Sequence, residues 1–162
     1  MQTVVDEALE RTRVAAEMAE IEVGSIGPNE PIMTSGNRDQ LVTALVNLVE
    51  NAIKYSSAGD SISVRSRADN DEITLVVQDS GRGIPARDLD RIFERFYRVD
   101  RARESTTGGT GIGLSIVRHV AINHGGTVVV TSFEGDGSTF TMTLPRSVPQ
   151  NSPEPAIGES HQ

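Results

Sequence analysis

Residues 108–114 read GGTGIGL and run straight into SIVRHVAINHGG, an amphipathic stretch with Ile112, Ile116, Val117, Val120 and Ala121 at helical spacing. Glycine is a costly way to begin a helix, and an ordinary cap would use Ser or Asp. Four glycines within residues 108–113 therefore point to bare backbone amides that something must approach closely. Amides at a helix N-terminus, backed by the positive end of the helix dipole, bind phosphate. Two familiar phosphate loops do not fit. The Walker pattern needs Gly-Lys-Ser/Thr, and no lysine lies here. The dinucleotide fingerprint needs a third glycine where Ile116 stands, and a strand where this chain has a polar loop.

Around that stretch the periodicity predicts a helix over residues 4–21, with Val5, Leu9, Thr12, Ala16 and Ala19 on one face. Short strands follow at residues 21–26 and at Pro31 to Thr34. Asn37 caps a long helix with Gln40 at the reciprocal position of a capping box, and Leu41, Leu45, Leu48 and Ala52 line its core face. Residues 61–67 and 72–79 alternate as a hairpin, a helix initiated by Pro85 reaches about Phe93, and residues 97–110 have no period. The helix that opens on the glycines runs from about Gly111 to Asn123, and strands at 127–133 and 138–144 flank a Gly-Asp-Gly turn. From Ser147 onward the polar, Pro-containing composition predicts a disordered tail, so the domain is 1–146 and the tail 147–162. Helices and hairpins mixed in this way predict an α+β fold. Its form is a two-layer α/β sandwich, a mixed, mostly antiparallel sheet with helices packed on one face.

Three further stretches carry chemistry. In NLVENAIKYS, Asn47, Asn51 and Lys54 fall on one strip of the helix beside its apolar arc. Asn is unfavourable mid-helix, but its amide oxygen suits a hard cation such as Mg²⁺, which takes few protein oxygens and fills its octahedron with water and phosphate. Lys54 is the only lysine of the chain, a compact ammonium within reach of the same strip. In ITLVVQDSGRGIP, Asp79 ends a strand before a turn released by Gly81 and Gly83, where a carboxylate can accept from the exocyclic amine of adenine. In FERFYR, the scarce aromatics Phe93, Phe96 and Tyr97 predict a hydrophobic post for the loop after them.

Charge narrows the partners. The formal net charge of −8 argues against a nucleic-acid surface. No apolar stretch is long enough to span a membrane, so no direct membrane contact is expected. The absence of cysteine fits a reducing compartment. Against that acidic background residues 82–103 carry seven arginines and four carboxylates, which predicts an anionic ligand nearby.

In order, NLVENAIKYS, DSGRGI, FERFYR, GGTGIGL and GDGSTF resemble the N, G1, F, G2 and G3 boxes of the ATP-binding catalytic domain of bacterial sensor histidine kinases. That domain belongs to a superfamily with DNA gyrase B, Hsp90 chaperones and MutL. The resemblance covers about residues 4–146 and implies a Bergerat-type sandwich that binds ATP with Mg²⁺. It implies that Asn51 ligates Mg²⁺, that Asn47 supports metal and phosphates, and that Lys54 and Tyr55 line the nucleotide. Asp79 would hold the adenine amine, Gly81, Gly83 and Ile84 would border the base, and Thr139 would reach adenine through water. Gly109, Thr110, Gly111, Gly113 and Leu114 would cradle the phosphates, and residues 97–110 would form a lid.

The same resemblance implies a kinase in which Asn47 and Lys54 take a direct part in the transfer. Relatives that hydrolyse ATP carry Glu where Asn47 stands, and a neutral amide is a poor general base. Glu50 lies about 100° around the helix from Asn51. Transfer to a nucleophile brought by another domain is therefore expected, rather than hydrolysis. No His-Glu-Leu-Arg-Thr-Pro-like acceptor box occurs, and His119, His124 and His161 do not resemble the acceptor. The implied partners are a phosphoacceptor and dimerisation domain, of its own or a partner chain, and a response regulator. The implied location is the cytoplasmic side of a membrane-anchored parent. Two other readings are a nucleotide-gated interaction module without catalysis, and an ATPase motor or chaperone, against which Asn47 counts.

Overall fold

The structure, a computed structural model, describes residues 1–28, 30–99 and 109–147. Helices α1 (Gln2–Met18), α2 (Arg38–Tyr55) and α3 (Gly113–Asn123) alternate irregularly with strands β1 (Glu22–Ile26), β2 (Ser61–Ala68), β3 (Glu72–Asp79), β4 (Thr127–Phe133) and β5 (Gly137–Pro145). The strands form one sheet in the order β1-β2-β3-β5-β4. Only the β1–β2 pair is parallel, and the rest of the ladder is antiparallel. Period-2 alternation sends Val64, Ile73, Leu75, Val77, Phe140, Met142 and Leu144 into the core, while Thr74, Thr141 and Thr143 take the opposite face. The three α-helices of the described residues cover the inner face, as the sequence predicts, and α2 lies in the middle.

Helix α2 is buried along Leu41, Val42, Ala44, Leu45, Leu48, Val49, Ala52 and Ile53 because α1, α3 and the sheet surround it. Its N-cap is Asn37, whose side-chain oxygen accepts from the Gln40 amide at 3.0 Å. The other half of the expected capping box is replaced. The Asn37 amide donates to His124 Nε2 at 3.0 Å, and His124 Nδ1 lies 2.8 Å from the Val120 carbonyl. With Nε2 accepting from the amide, the Nδ1 proton points to the Val120 carbonyl. One imidazole thus fastens the start of α2 to the end of α3. Asn37→Ala is expected to cost about 1 kcal/mol, read as a lower urea midpoint at unchanged slope.

Several expected elements are shorter. Helix α1 stops at Met18 rather than residue 21 because Glu20 adopts φ +56°, and Ile21 N closes back on Ala16 O at 3.0 Å. This is a left-handed C-terminal cap formed without glycine, so no sequence signal marks it. Its buried face is Val4, Val5, Ala8, Thr12 and Ala16, with Leu9 and Ala19 at the margin. Pro31 to Thr34 is not a strand. Ile32 O accepts from the Met1 amino group, Met33 O from Ser147 N, and Thr34 Oγ1 donates to Pro145 O, so three different partners replace a ladder. Ile32 anchors the segment by burial.

The helix expected from Pro85 is only a 3-10 turn at Ala86–Asp88, followed by further turns. Phe96 sits at φ +64°, where its amide reaches Gly111 O at 2.8 Å, and that conformation cannot continue a helix. The aromatic post is correspondingly divided. Phe93 meets Phe140 edge-on at 6.2 Å, whereas Phe96 is 62% exposed. Helix α3 begins at Gly113, two residues later than expected, and β5 begins at Gly137. Gly108 of the glycine loop, Arg101 and Arg103 of the arginine-rich stretch, most of the 97–110 loop and all but the first residue of the tail lie outside the described residues.

Candidate functional site

The C-terminal half of α2, the end of β3 with the turn after it, and the start of α3 enclose a cleft of about 280 Å³. Every residue that the sequence reading assigned to the site lines it except Gly81 and Thr139: Asn47, Asn51, Lys54 and Tyr55 from α2, Asp79, Gly83 and Ile84 from the turn, and Gly109, Thr110, Gly111, Gly113 and Leu114 from the glycine loop. The two exceptions have distinct causes. A Cβ on Gly81 would lie 2.2 Å from the Tyr55 carbonyl oxygen, so this glycine makes room for the protein's own backbone. Thr139 pairs with Gln78 on the outward-facing positions of the sheet, and its neighbour Ser138, opposite Asp79, lines the cleft instead.

The glycine loop is packed against the polar strip of α2. A Cβ on Gly109 would come within 2.4 Å of Lys54 Nζ, and one on Gly113 within 2.7 Å of Asn47 Oδ1. Asn47 Nδ2 donates to Thr43 O at 2.8 Å, which leaves its oxygen toward α3. Among the described residues no side chain caps α3. Its first amides thus meet the carboxamides and ammonium of α2 across the cleft.

Asp79 sits at the other end, buried, with Oδ1 accepting from Gly81 N at 2.9 Å and from Ser138 N at 3.3 Å. No described residue hydrogen-bonds Oδ2, and Asp79 lines the cleft. Burial pushes the Asp79 carboxyl above its ordinary value, and the two backbone donors oppose that rise. The folded state therefore holds this proton more tightly than the unfolded chain. Its contribution to stability is full below the ordinary carboxylate range and declines as pH rises from about 4 through the elevated value. Asp79→Asn keeps an oxygen for both backbone amides. The variant is expected to fold, to gain stability relative to the wild type between about pH 4 and neutrality, and to lose adenine-nucleotide binding, measured by urea midpoints at the two pH values and by calorimetry.

Three neighbours were not legible as site residues, Arg82, Ile92 and Ser138, and Val99 comes from the 97–110 loop expected as a lid. Tyr97 also lines the cleft. Its hydroxyl donates to Asp88 Oδ1 at 2.5 Å, which raises the phenol above its usual range, and the Arg91 guanidinium lies 4.3 Å over its ring. Asp88 Oδ2 is buried with no hydrogen bond among the described residues. Glu50 reaches the cleft rim despite its position around the helix. Lys54, Arg82 and Arg98 face Glu50 and Asp79 here, a cation excess in a protein of net charge −8. Among the described residues no group of three or more His, Cys, Asp or Glu side chains is arranged to hold a metal, and no helix is long and apolar enough to cross a membrane.

Comparison with known proteins agrees with this geometry. Residues 36–148 match the family described as histidine kinase-, DNA gyrase B-, and HSP90-like ATPase. The chain belongs to this ATPase family. The domain is 50% identical over 143 residues to the sensor-like histidine kinase SenX3 of Mycobacterium tuberculosis strain H37Rv, which covers 88% of this chain and 35% of that relative. It is 46% identical over 110 residues to the phosphate regulon sensor protein PhoR of Pseudomonas aeruginosa, covering 68% of this chain and 25% of PhoR. Among solved structures, the mycobacterial sensor histidine kinase MprB superposes with a TM-score of 0.78 at 32% identity, covering 90% of this chain and 94% of that one. The chain spans about a third of the length of the SenX3 relatives it matches.

Proposed function

We propose that the cleft binds ATP with Mg²⁺ and presents the terminal phosphoryl group to a histidine supplied by a phosphoacceptor domain, for relay to a response regulator. One observation carries this reading: two glycines of the loop that leads into α3 pack against the polar strip of α2, Gly109 against Lys54 and Gly113 against Asn47, while the buried Asp79 waits at the far end of the same cleft. A phosphate chain fits the first end, and an exocyclic amine fits the carboxylate at the second. The donor set also fits Mg²⁺. Asn51 offers one neutral oxygen with no carboxylate cage around it, which suits an ion that keeps water and phosphate as its other ligands. When bound, that ion neutralises charge on the phosphoryl oxygens.

The protein's own groups do the rest. Lys54 supplies a positive charge beside Gly109, and the amides from Gly111 to Leu114 orient the phosphates along the α3 dipole. Asp79 fixes the base and thereby the register of the chain. Asn47 donates to Thr43 O and stays neutral, so no group at its position removes a proton from water. Positioning and charge neutralisation then account for catalysis. In this reading the acceptor histidine lies on a phosphoacceptor domain of the same or a partner chain, the response regulator is a separate partner, and a membrane anchor of the parent protein would hold the site on the cytoplasmic side.

The test is calorimetric titration with ATP and a non-hydrolysable analogue, with and without Mg²⁺, followed by radiolabelled ATP in the presence of a separate acceptor domain. Label is expected on the acceptor only. Glu50 at the cleft rim favours hydrolysis as the second reading, and sustained turnover without acceptor that vanishes in Glu50→Gln would establish it instead. Efficient self-labelling of the 162 residues would overturn the phosphotransfer reading.

A further inference from the structure

The turn at residues 81–83 is pinned on both sides. Arg82 N donates to Tyr55 O at 3.1 Å, and Arg82 O accepts from Gly135 N at 2.7 Å. Neither neighbour has space for a side chain, since a Cβ would lie 2.2 Å from Tyr55 O at Gly81 and 2.0 Å from Phe133 O at Gly83. Arg82 is therefore the one side chain that this turn projects, from a backbone held by the end of α2 and by the β4–β5 turn. It lines the cleft with its guanidinium 4.4 Å from the centroid of the Tyr55 ring. Lys54 Nζ lies 5.1 Å from the same centroid. Both distances are within the range of a cation–π contact. A planar guanidinium can stack on the ring as an ammonium cannot.

We propose that Arg82 is a positioning residue for the nucleotide: it holds the Tyr55 ring in the orientation that the ligand meets on entering the cleft. The inference rests on the nucleotide reading above. Acting through the ring, Arg82 serves every adenine nucleotide alike and does not read the terminal phosphate. Arg82→Ala is expected to weaken ATP and ADP equally, by about two- to fivefold, and Arg82→Lys to recover part of the loss. The fold is expected to stand, because the side chain is exposed and both backbone bonds remain.

The chain has two tyrosines and no tryptophan, so ring-labelled tyrosine gives two NMR signals, and Tyr97→Phe assigns them by deletion. In nucleotide-free Arg82→Ala the Tyr55 signal should move and the Tyr97 signal stay. An unmoved Tyr55 signal, an unchanged affinity, or a loss confined to ATP would each overturn the proposal while wild-type binding leaves the nucleotide reading intact. Absence of binding in the wild type would remove both.

Discussion

Asn51→Ala is expected to abolish phosphoryl transfer to a supplied acceptor domain, by about a thousandfold or more, while leaving the fold in place. In a transfer that depends on positioning and charge neutralisation, removing one preorganised electrostatic group costs two to three powers of ten, and a group holding a metal sits at the upper end. Asn51 is half-buried on α2 and lines the cleft beside Asn47 and Lys54, with the apolar face of the helix turned away from it. Alanine is a better helix former than asparagine, so the urea midpoint should hold or rise slightly. The measurement is transfer of label in single turnover, run beside far-ultraviolet circular dichroism. Transfer within tenfold of the wild type would mean that Asn51 is a bystander.

Two glycine substitutions separate architecture from binding. Gly83 lies at φ +70°, and a Cβ there would come within 2.0 Å of the Phe133 carbonyl oxygen and 2.7 Å of its carbon. Strain in the left-handed region and a clash with backbone that cannot yield add up, so Gly83→Ala should cost about 3 kcal/mol or more and lower the urea midpoint markedly. At Gly113 the obstacle is the end of a side chain, Asn47 Oδ1 at 2.7 Å, and the residue is helical. Gly113→Ala should therefore leave stability unchanged or improved while displacing Asn47, and weaken nucleotide binding by about tenfold. If Gly113→Ala unfolds the protein instead, the contact with α2 holds up the fold and not the ligand.

These contrasts explain what sequence could and could not reveal. Helix α2, the β2–β3 hairpin and the glycine loop were legible because periodicity and glycine placement act locally, and the cleft they enclose follows from them. The end of α1 was hidden because its left-handed cap uses Glu20, a residue without the usual glycine signature. Thr139 was misassigned by a single step along β5: only the register with β3, which sets Ser138 opposite Asp79, says which side of the strand meets the cleft. The capping box at Asn37 failed for a tertiary reason, since His124 arrives from 87 residues away to take the amide that Gln40 would have served locally. Arg82 was visible only as one arginine in a basic run. Its place over Tyr55 depends on bonds from α2 and the β4–β5 turn, which no spacing rule encodes.

The last strand among the described residues, β5, lies between β3 and β4, not at the margin of the sheet. On the ribosome, β3 must consequently wait with one side unpaired until Pro145 has emerged, and Phe140, against which Phe93 rests, is delivered late. Ser138, which holds Asp79 in place, arrives in the same final segment. A nascent chain that still lacks that strand has neither a closed core nor a finished cleft, so the domain becomes competent in one step when β5 joins the sheet.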